Sequence, residues 1–453
     1  LPKEESNQLN SLAFIAKSEG DLRFSECLAN ESMAISRRID NLSGIARSKR
    51  ILGEIYHIRG EVQKSLQFYE SSLSIHEERN YPSGIAYVKG ELSKLYLQLG
   101  QINSSLELIE ESLALSRKSK DLASESYYLN IKGRIFEGKG EYDTAIHFFQ
   151  QSLECAKDVG APGLQAEPIR YMGLISEVRG EIQAAEDLFL QAQAIYISVG
   201  NIEGQAQILV DFARIKDEQE KFDEAHECYI NSIEIDPKHF EGQYNLAVSY
   251  TKKNDNENAI KHFEIALELN KNVRVLNKLA QTYADTEQYE NALKMNSMSL
   301  ELNADDIETL NKKGMILINL ERFKEAVELF KKLIKISPKL CELHFNLGVA
   351  YRGLDEVDEE IKCYETALKI DPNNPEANYN LGLYLLRNKN FKEGWKKYEY
   401  RMDTTLIDNV KRPNTNLPFW TPKEQNSSLF VWPEQGVGDC IFFASVLPEL
   451  KEK

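Results

Sequence analysis

Near the end of the chain, Gly436-x-Gly438-Asp439 follows a short apolar run, SLFVW (Ser428–Trp432), and precedes CIFFASVLPELKEK. Paired glycines let a backbone come close to a ligand, and a strand, a glycine-rich turn and a helix in that order open a nucleotide-binding α/β domain. The dinucleotide fingerprint needs a third glycine at 441, where Ile stands, and the run is not a phosphate loop either. Elsewhere the reactive residue types are dispersed. Cysteines at 27, 155, 228, 341, 363 and 440 form no CxxC pair, and the seven histidines form no HExxH or paired ligand spacing. No metal centre and no disulfide framework is expected, and the cysteines fit a reduced, cytoplasmic setting.

Charge narrows the partners. The 453 residues carry a net −16, which favours neither nucleic acid nor an anionic membrane. No apolar run approaches the roughly 18–20 residues that cross a bilayer, and no signal peptide opens the chain. The first residue is Leu1 rather than Met, which leaves an upstream segment open.

What positions these residues is a repeat. Gly20, Gly60, Gly100, Gly140 and Gly180 recur every 40 residues, each just after an apolar helical stretch. Beyond them the same turn returns about every 34 residues until about residue 400. In residues 341–372, Leu347, Gly348 and Tyr351 mark one helical face, and Ile361, Tyr364, Ala367 and Ile370 mark another. Asp355, Glu356 and Asp358 lie in or beside the turn between them, and Asp371-Pro372 closes the second helix.

This unit resembles the tetratricopeptide repeat. The family's small and aromatic positions recur as Gly314, Ala326, Phe330 and Pro338; as Ala213, Ala225, Tyr229 and Pro237; as Ala247, Tyr250, Ala259 and Phe263; as Ala280, Tyr283 and Ala292; and as Gly382, Gly394 and Tyr398. Gly53 with Tyr69, Gly133 with Phe149 and Gly173 with Phe189 hold the same offsets in the longer copies. The resemblance implies an all-α, right-handed superhelical solenoid of about eleven hairpins. Residues 1–202 would hold the 40-residue repeats and 203–404 the 34-residue repeats. The six extra residues of the longer copies fall between hairpins, where longer helices or longer connections would absorb them.

In this family the residue two before the small Gly or Ala often points into a concave groove. Those positions are Asn245, Lys278, Lys312, Asn346 and Asn380. An asparagine row can donate to and accept from an extended peptide backbone. It can equally satisfy its own surroundings, and both readings stand. The equivalent residues of the first half are Ile51, Glu91, Ile131, Tyr171 and Asp211, so a more apolar, mixed groove is expected there. The expected partner is a protein or extended peptide, and an uncapped end leaves oligomers open.

After a proline-rich linker at 405–426, residues 427–453 resemble the first strand, turn and helix of the heptosyltransferase-like glycosyltransferases. EQGVGDCIFFASVLPELK (Glu434–Lys451) carries that likeness, with EGWKKYEYR (Glu393–Arg401) and LPFW (Leu417–Trp420) resembling the junction of bacterial fusions. The likeness implies Asp439 as a general base in a longer parent, with Gly436 and Gly438 near a nucleotide sugar. For this chain alone neither cofactor nor catalysis is expected. The function expected first is a binding scaffold that recruits a substrate or partner; its rivals are a glycosyltransferase and a structural assembly factor.

Overall fold

The computed structural model describes residues 2–403 apart from residue 19. The linker, the apolar run and Gly436, Gly438 and Asp439 lie outside the described residues. Among those described there is no strand, and 22 α-helices follow one another as antiparallel hairpins. They form two compact units, divided after Thr286. The first holds α1 (Pro2–Ser18), α2 (Leu22–Arg38), α3 (Leu42–Ile58), α4 (Val62–Glu78), α5 (Pro82–Gln98), α6 (Ile102–Ser119), α7 (Leu122–Gly138), α8 (Tyr142–Asp158), α9 (Ala166–Val178), α10 (Ile182–Ser198), α11 (Ile202–Glu218), α12 (Phe222–Ile235), α13 (Phe240–Lys252), α14 (Asn256–Leu269) and α15 (Val273–Asp285). The second holds α16 (Tyr289–Leu302), α17 (Ile307–Asn319), α18 (Phe323–Ile336), α19 (Cys341–Gly353), α20 (Val357–Ile370), α21 (Pro375–Arg387) and α22 (Phe391–Tyr398).

The extra residues of the long repeats lengthen the helices. Helices α3 to α6 run 17 or 18 residues each, whereas α17 to α20 run 13 or 14. The connections stay short in both. Each hairpin turn puts one residue in the left-handed region, which closes a helix by turning its last carbonyls onto the next amides. Gly60 does so at φ +76°, and the Glu61 amide reaches back to the Tyr56 carbonyl at 2.8 Å. In the shorter repeats that place falls to Asn254, Glu287, Glu321, Asp355 and Lys389, all at positive φ.

Inside several hairpins a small residue faces an aromatic one. A Cβ on Gly133 would stand 2.5 Å from Phe149, and one on Gly314 would stand 2.4 Å from Phe330. Both aromatics are fully buried, so only glycine allows the two helices to lie this close. Serines stitch the long repeats. Ser25, Ser65 and Ser105 donate to the carbonyls of Ala13, Gly53 and Ser93, each 12 residues back. Ser72, Ser112, Ser152 and Ser232 donate to carbonyls 26 residues back, at 2.7–2.9 Å. Each such bond stabilises by about 1 kcal/mol net.

Core clusters straddle neighbouring hairpins, as where Ala13, Ala29, Ile51 and Leu52 pack together, so stability is shared between nearest neighbours. Curvature follows from which helices meet. In the first unit each odd-numbered helix from α1 to α11 lies against the next odd-numbered one, while the even-numbered helices spread further apart. The odd-numbered helices therefore form the inner wall of that unit. It bends far enough to touch itself, since the side-chain amide of Asn270 donates to the Ile58 carbonyl at 3.0 Å.

Candidate functional site

Three of the inner-wall positions expected to line a mixed groove in the first unit belong to an ionic and aromatic network, and two do not. Ile51 and Ile131 turn into the core, each at most 1 % exposed. Glu91, Tyr171 and Asp211 face charged neighbours, so the wall is more polar than the sequence suggested. An inward isoleucine gains about 2 kcal/mol from burial, which decides its direction, while a carboxylate in the same row must find a cation.

The network begins at Glu54. Its carboxylate is buried yet accepts from Lys17 on α1 and from Arg50 one turn back on α3. Tyr87 on α5 donates to it at 3.3 Å. The Arg50 guanidinium stands 4.7 Å from the Tyr87 ring centre, and Tyr87 stacks on Tyr127 of α7 at 6.5 Å. Glu91 receives Lys94 at 3.1 Å and the Tyr127 hydroxyl. Burial would push the Glu91 carboxyl up, but Lys94 and Tyr127 more than offset this and hold it below the ordinary range. Burial and the facing Glu91 push the Tyr127 hydroxyl well up.

Further along, Asp211 is fully buried and takes a two-point bond from Arg170, at 2.5 and 3.1 Å. Arg214 forms a similar fork with Glu177 at 2.5 Å. Burial alone would lower the Arg170 pKa; the Asp211 carboxylate and its hydrogen bonds raise it instead. Forked arginine–carboxylate pairs fix geometry as well as charge. Between these clusters the Tyr171 ring stacks on Phe149, with Arg134 5.0 Å and Arg170 5.3 Å from its centre.

The five positions assigned to the groove by resemblance fall in both units. Asn245 on α13 is half-buried and Lys278 on α15 is exposed. Lys312 pairs with Glu308 on its own helix at 2.6 Å. Asn346 is 3 % exposed and donates to Asn311 at 2.9 Å, and Asn311 donates to Glu342 at 2.8 Å. Asn380 is also buried and accepts from Arg352 at 3.4 Å. Sequence reasoning missed the cations of the first unit's inner wall. Positions 54, 94, 134, 174 and 214, held in the 40-residue register, carry Glu, Lys, Arg, Leu and Arg. Among the described residues no group of three or more His, Cys, Asp or Glu could hold a metal, and no helix is long and apolar enough to cross a membrane.

Family models agree with this architecture. Residues 84–158, 210–273 and 307–340 each match a model described as "Tetratricopeptide repeat", and residues 356–389 match one described as "TPR repeat". These segments are tetratricopeptide repeats. They fall in both compact units and in both repeat lengths. Solved structures also resemble parts of the chain. YrrB, described as a TPR protein with an unusual peptide-binding site, is 24% identical, covers 42% of this chain over 95% of its own, and has a TM-score of 0.37. BtubC (BKLC) from P. vanneervenii is 20% identical, covers 44% over 83% of its own, with a TM-score of 0.38. MamA from Desulfovibrio magneticus RS-1 is 18% identical, covers 36% over 93% of its own, with a TM-score of 0.33. No curated protein matches the chain by sequence.

Proposed function

We propose that the chain is a scaffold whose tetratricopeptide hairpins hold an extended polypeptide. The observation that carries this is the make-up of the first unit's inner wall: Tyr87, Tyr127 and Tyr171 interleaved with Arg50, Arg134, Arg170 and Arg214. Tyrosine and arginine dominate binding hot spots because they offer large contact area and directed hydrogen bonds at small entropic cost. A wall meant only for packing needs neither. The test is selection from a random peptide library on the immobilised full chain. Binders of micromolar affinity that compete with one another support the scaffold; a library that yields none overturns it.

A second reading concerns what the scaffold serves. The likeness of Glu434–Lys451 to a glycosyltransferase opening favours an arm that presents its ligand to a transferase domain. Its test is to extend the coding region past Lys453 and titrate the product with nucleotide sugars. Binding that Asp439→Asn weakens supports the arm, and no binding removes it while leaving the scaffold intact.

A further inference from the structure

Six cations belong to the inner-wall network of the first unit. Lys17 and Arg50 share Glu54, Lys94 holds Glu91, Arg170 forks onto Asp211, and Arg214 forks onto Glu177. Arg134 differs. Among the described residues it has no hydrogen bond or ion pair, only the Tyr171 ring at 5.0 Å. Burial would lower its pKa, but Tyr171 and the Glu167 carboxylate raise it from a distance without meeting it in an ion pair. Glu167 is engaged by the Tyr196 hydroxyl at 3.0 Å, and Arg170 adds a second positive charge beside the same ring. Glu137, one turn further on α7, stays beyond pairing distance, and loss of water around it pushes its carboxyl up against the weaker pull of Arg134 and Arg170.

One turn earlier on α7 stands Asn130. It is 8 % exposed, and its carboxamide oxygen is buried with no donor. A donor lacking an acceptor and an acceptor lacking a donor thus sit four residues apart on one helix. Both are groups that a polypeptide supplies, a side-chain carboxylate for the first and a main-chain N–H for the second. A buried polar group without its bond costs about 1–3 kcal/mol. That cost persists unless something else is gained from it.

We propose that α7 is the specificity position of the scaffold, where Arg134 pairs with an aspartate or glutamate of the bound peptide against the Tyr171 ring. The inference rests on the scaffold reading and names its ligand class, an extended acidic peptide. A planar guanidinium lying over an aromatic ring keeps its N–H edge free for a two-point carboxylate contact. Lysine at this place would keep the charge and lose the fork.

The experiment uses peptides selected on the immobilised full chain. Selected sequences are expected to be enriched in Asp and Glu, and Arg134→Gln is expected to weaken them by about tenfold or more. Arg134→Lys should recover part of the loss. The deciding measurement is a cycle in which each acidic residue of one peptide is changed to its amide. On the native chain one change should cost about tenfold; on Arg134→Gln the same change should cost nothing. If Arg134→Gln weakens acidic and amide peptides alike, the arginine only supports the wall and the inference fails while the scaffold stands. Binders that carry no acidic residue overturn the inference in the same way. If no peptide is selected, the scaffold reading falls and the inference falls with it.

Discussion

Asn270 and Ile58, 212 residues apart, are joined by a hydrogen bond of 3.0 Å from the asparagine side chain to the isoleucine carbonyl. The next amide, Lys271, donates to the Arg59 carbonyl at 3.3 Å. Between them Gly60 makes room, since a Cβ there would stand 2.7 Å from the Asn270 oxygen. The hairpin turn of α3 and α4 therefore rests on the connection from α14 to α15, and the first unit closes on itself. Short-range packing alone cannot fix such a contact, because small errors in each hairpin's rotation add along the row.

Asn270→Asp tests the closure. It removes the donor and sets a carboxylate against a carbonyl, at a cost of about 1–3 kcal/mol to this contact. Hydrogen exchange at the Lys271 amide should speed up while the helical amides of α7 and α8 stay protected. An unchanged Lys271 rate would show that the turn is held by something other than this bond.

Gly314→Val should overfill the space against Phe330, whose ring lies 2.4 Å from the position of a new Cβ. Overpacking of this kind costs about 1–3 kcal/mol. Faster exchange is expected in α17 to α20 of the second unit, with α21 and α22 less affected. Adding Phe330→Leu should recover part of the loss. A uniform change across the unit would contradict nearest-neighbour stability.

Asp211→Asn should be among the most damaging single changes on the inner wall. The carboxylate is fully buried, holds Arg170 at two points and stands 3.7 Å from Arg214. Removing one partner of a buried pair leaves a cation uncompensated and costs about 3–5 kcal/mol. The double variant Asp211→Leu with Arg170→Met should be far milder, because it removes both charges. Urea midpoints read both. A loss under about 1 kcal/mol for Asp211→Asn would show that water screens the pair.

The fold was written in the sequence because one glycine spacing and one small-to-aromatic spacing recur, and each has a steric cause. Gly133 must be small because Phe149 is there. The glycine signal fades in the shorter repeats because Glu321, Asp355 and Lys389 adopt the same left-handed turn without being glycine. The inner wall was less legible. Ile51 and Glu91 hold one register position and both are buried, yet one packs in an apolar cluster and the other meets Lys94 and Tyr127, since the partners depend on what the next hairpin offers. The unpaired state of Arg134 is set by the distances to Glu137 and Glu167, and no local pattern encodes those.

Acid should weaken the first unit through its histidines. His262 shares a hydrogen bond with Gln243 at 2.7 Å and stacks on Tyr250, whose ring also meets His226 edge-on at 4.8 Å. His226 in turn bonds Ser249 at 2.9 Å. Burial lowers the pKa of both rings; Lys261 and the opposing His226 add to this at His262, and Lys253 adds to it at His226, against Asp223 and Asp255. His57, His76 and His239 are lowered by burial as well. A lowered histidine stays neutral in the fold while its unfolded counterpart takes up a proton near pH 6.5. The unfolded chain then binds more protons, so stability is full above about pH 6.5 and falls as pH drops below it. Urea unfolding at neutral pH and at about pH 5.5 should show a lower midpoint in acid. His262→Gln should lessen that drop, because glutamine keeps a polar partner for Gln243 and cannot take up the proton. An equal drop in the variant would place the acid sensitivity on other groups.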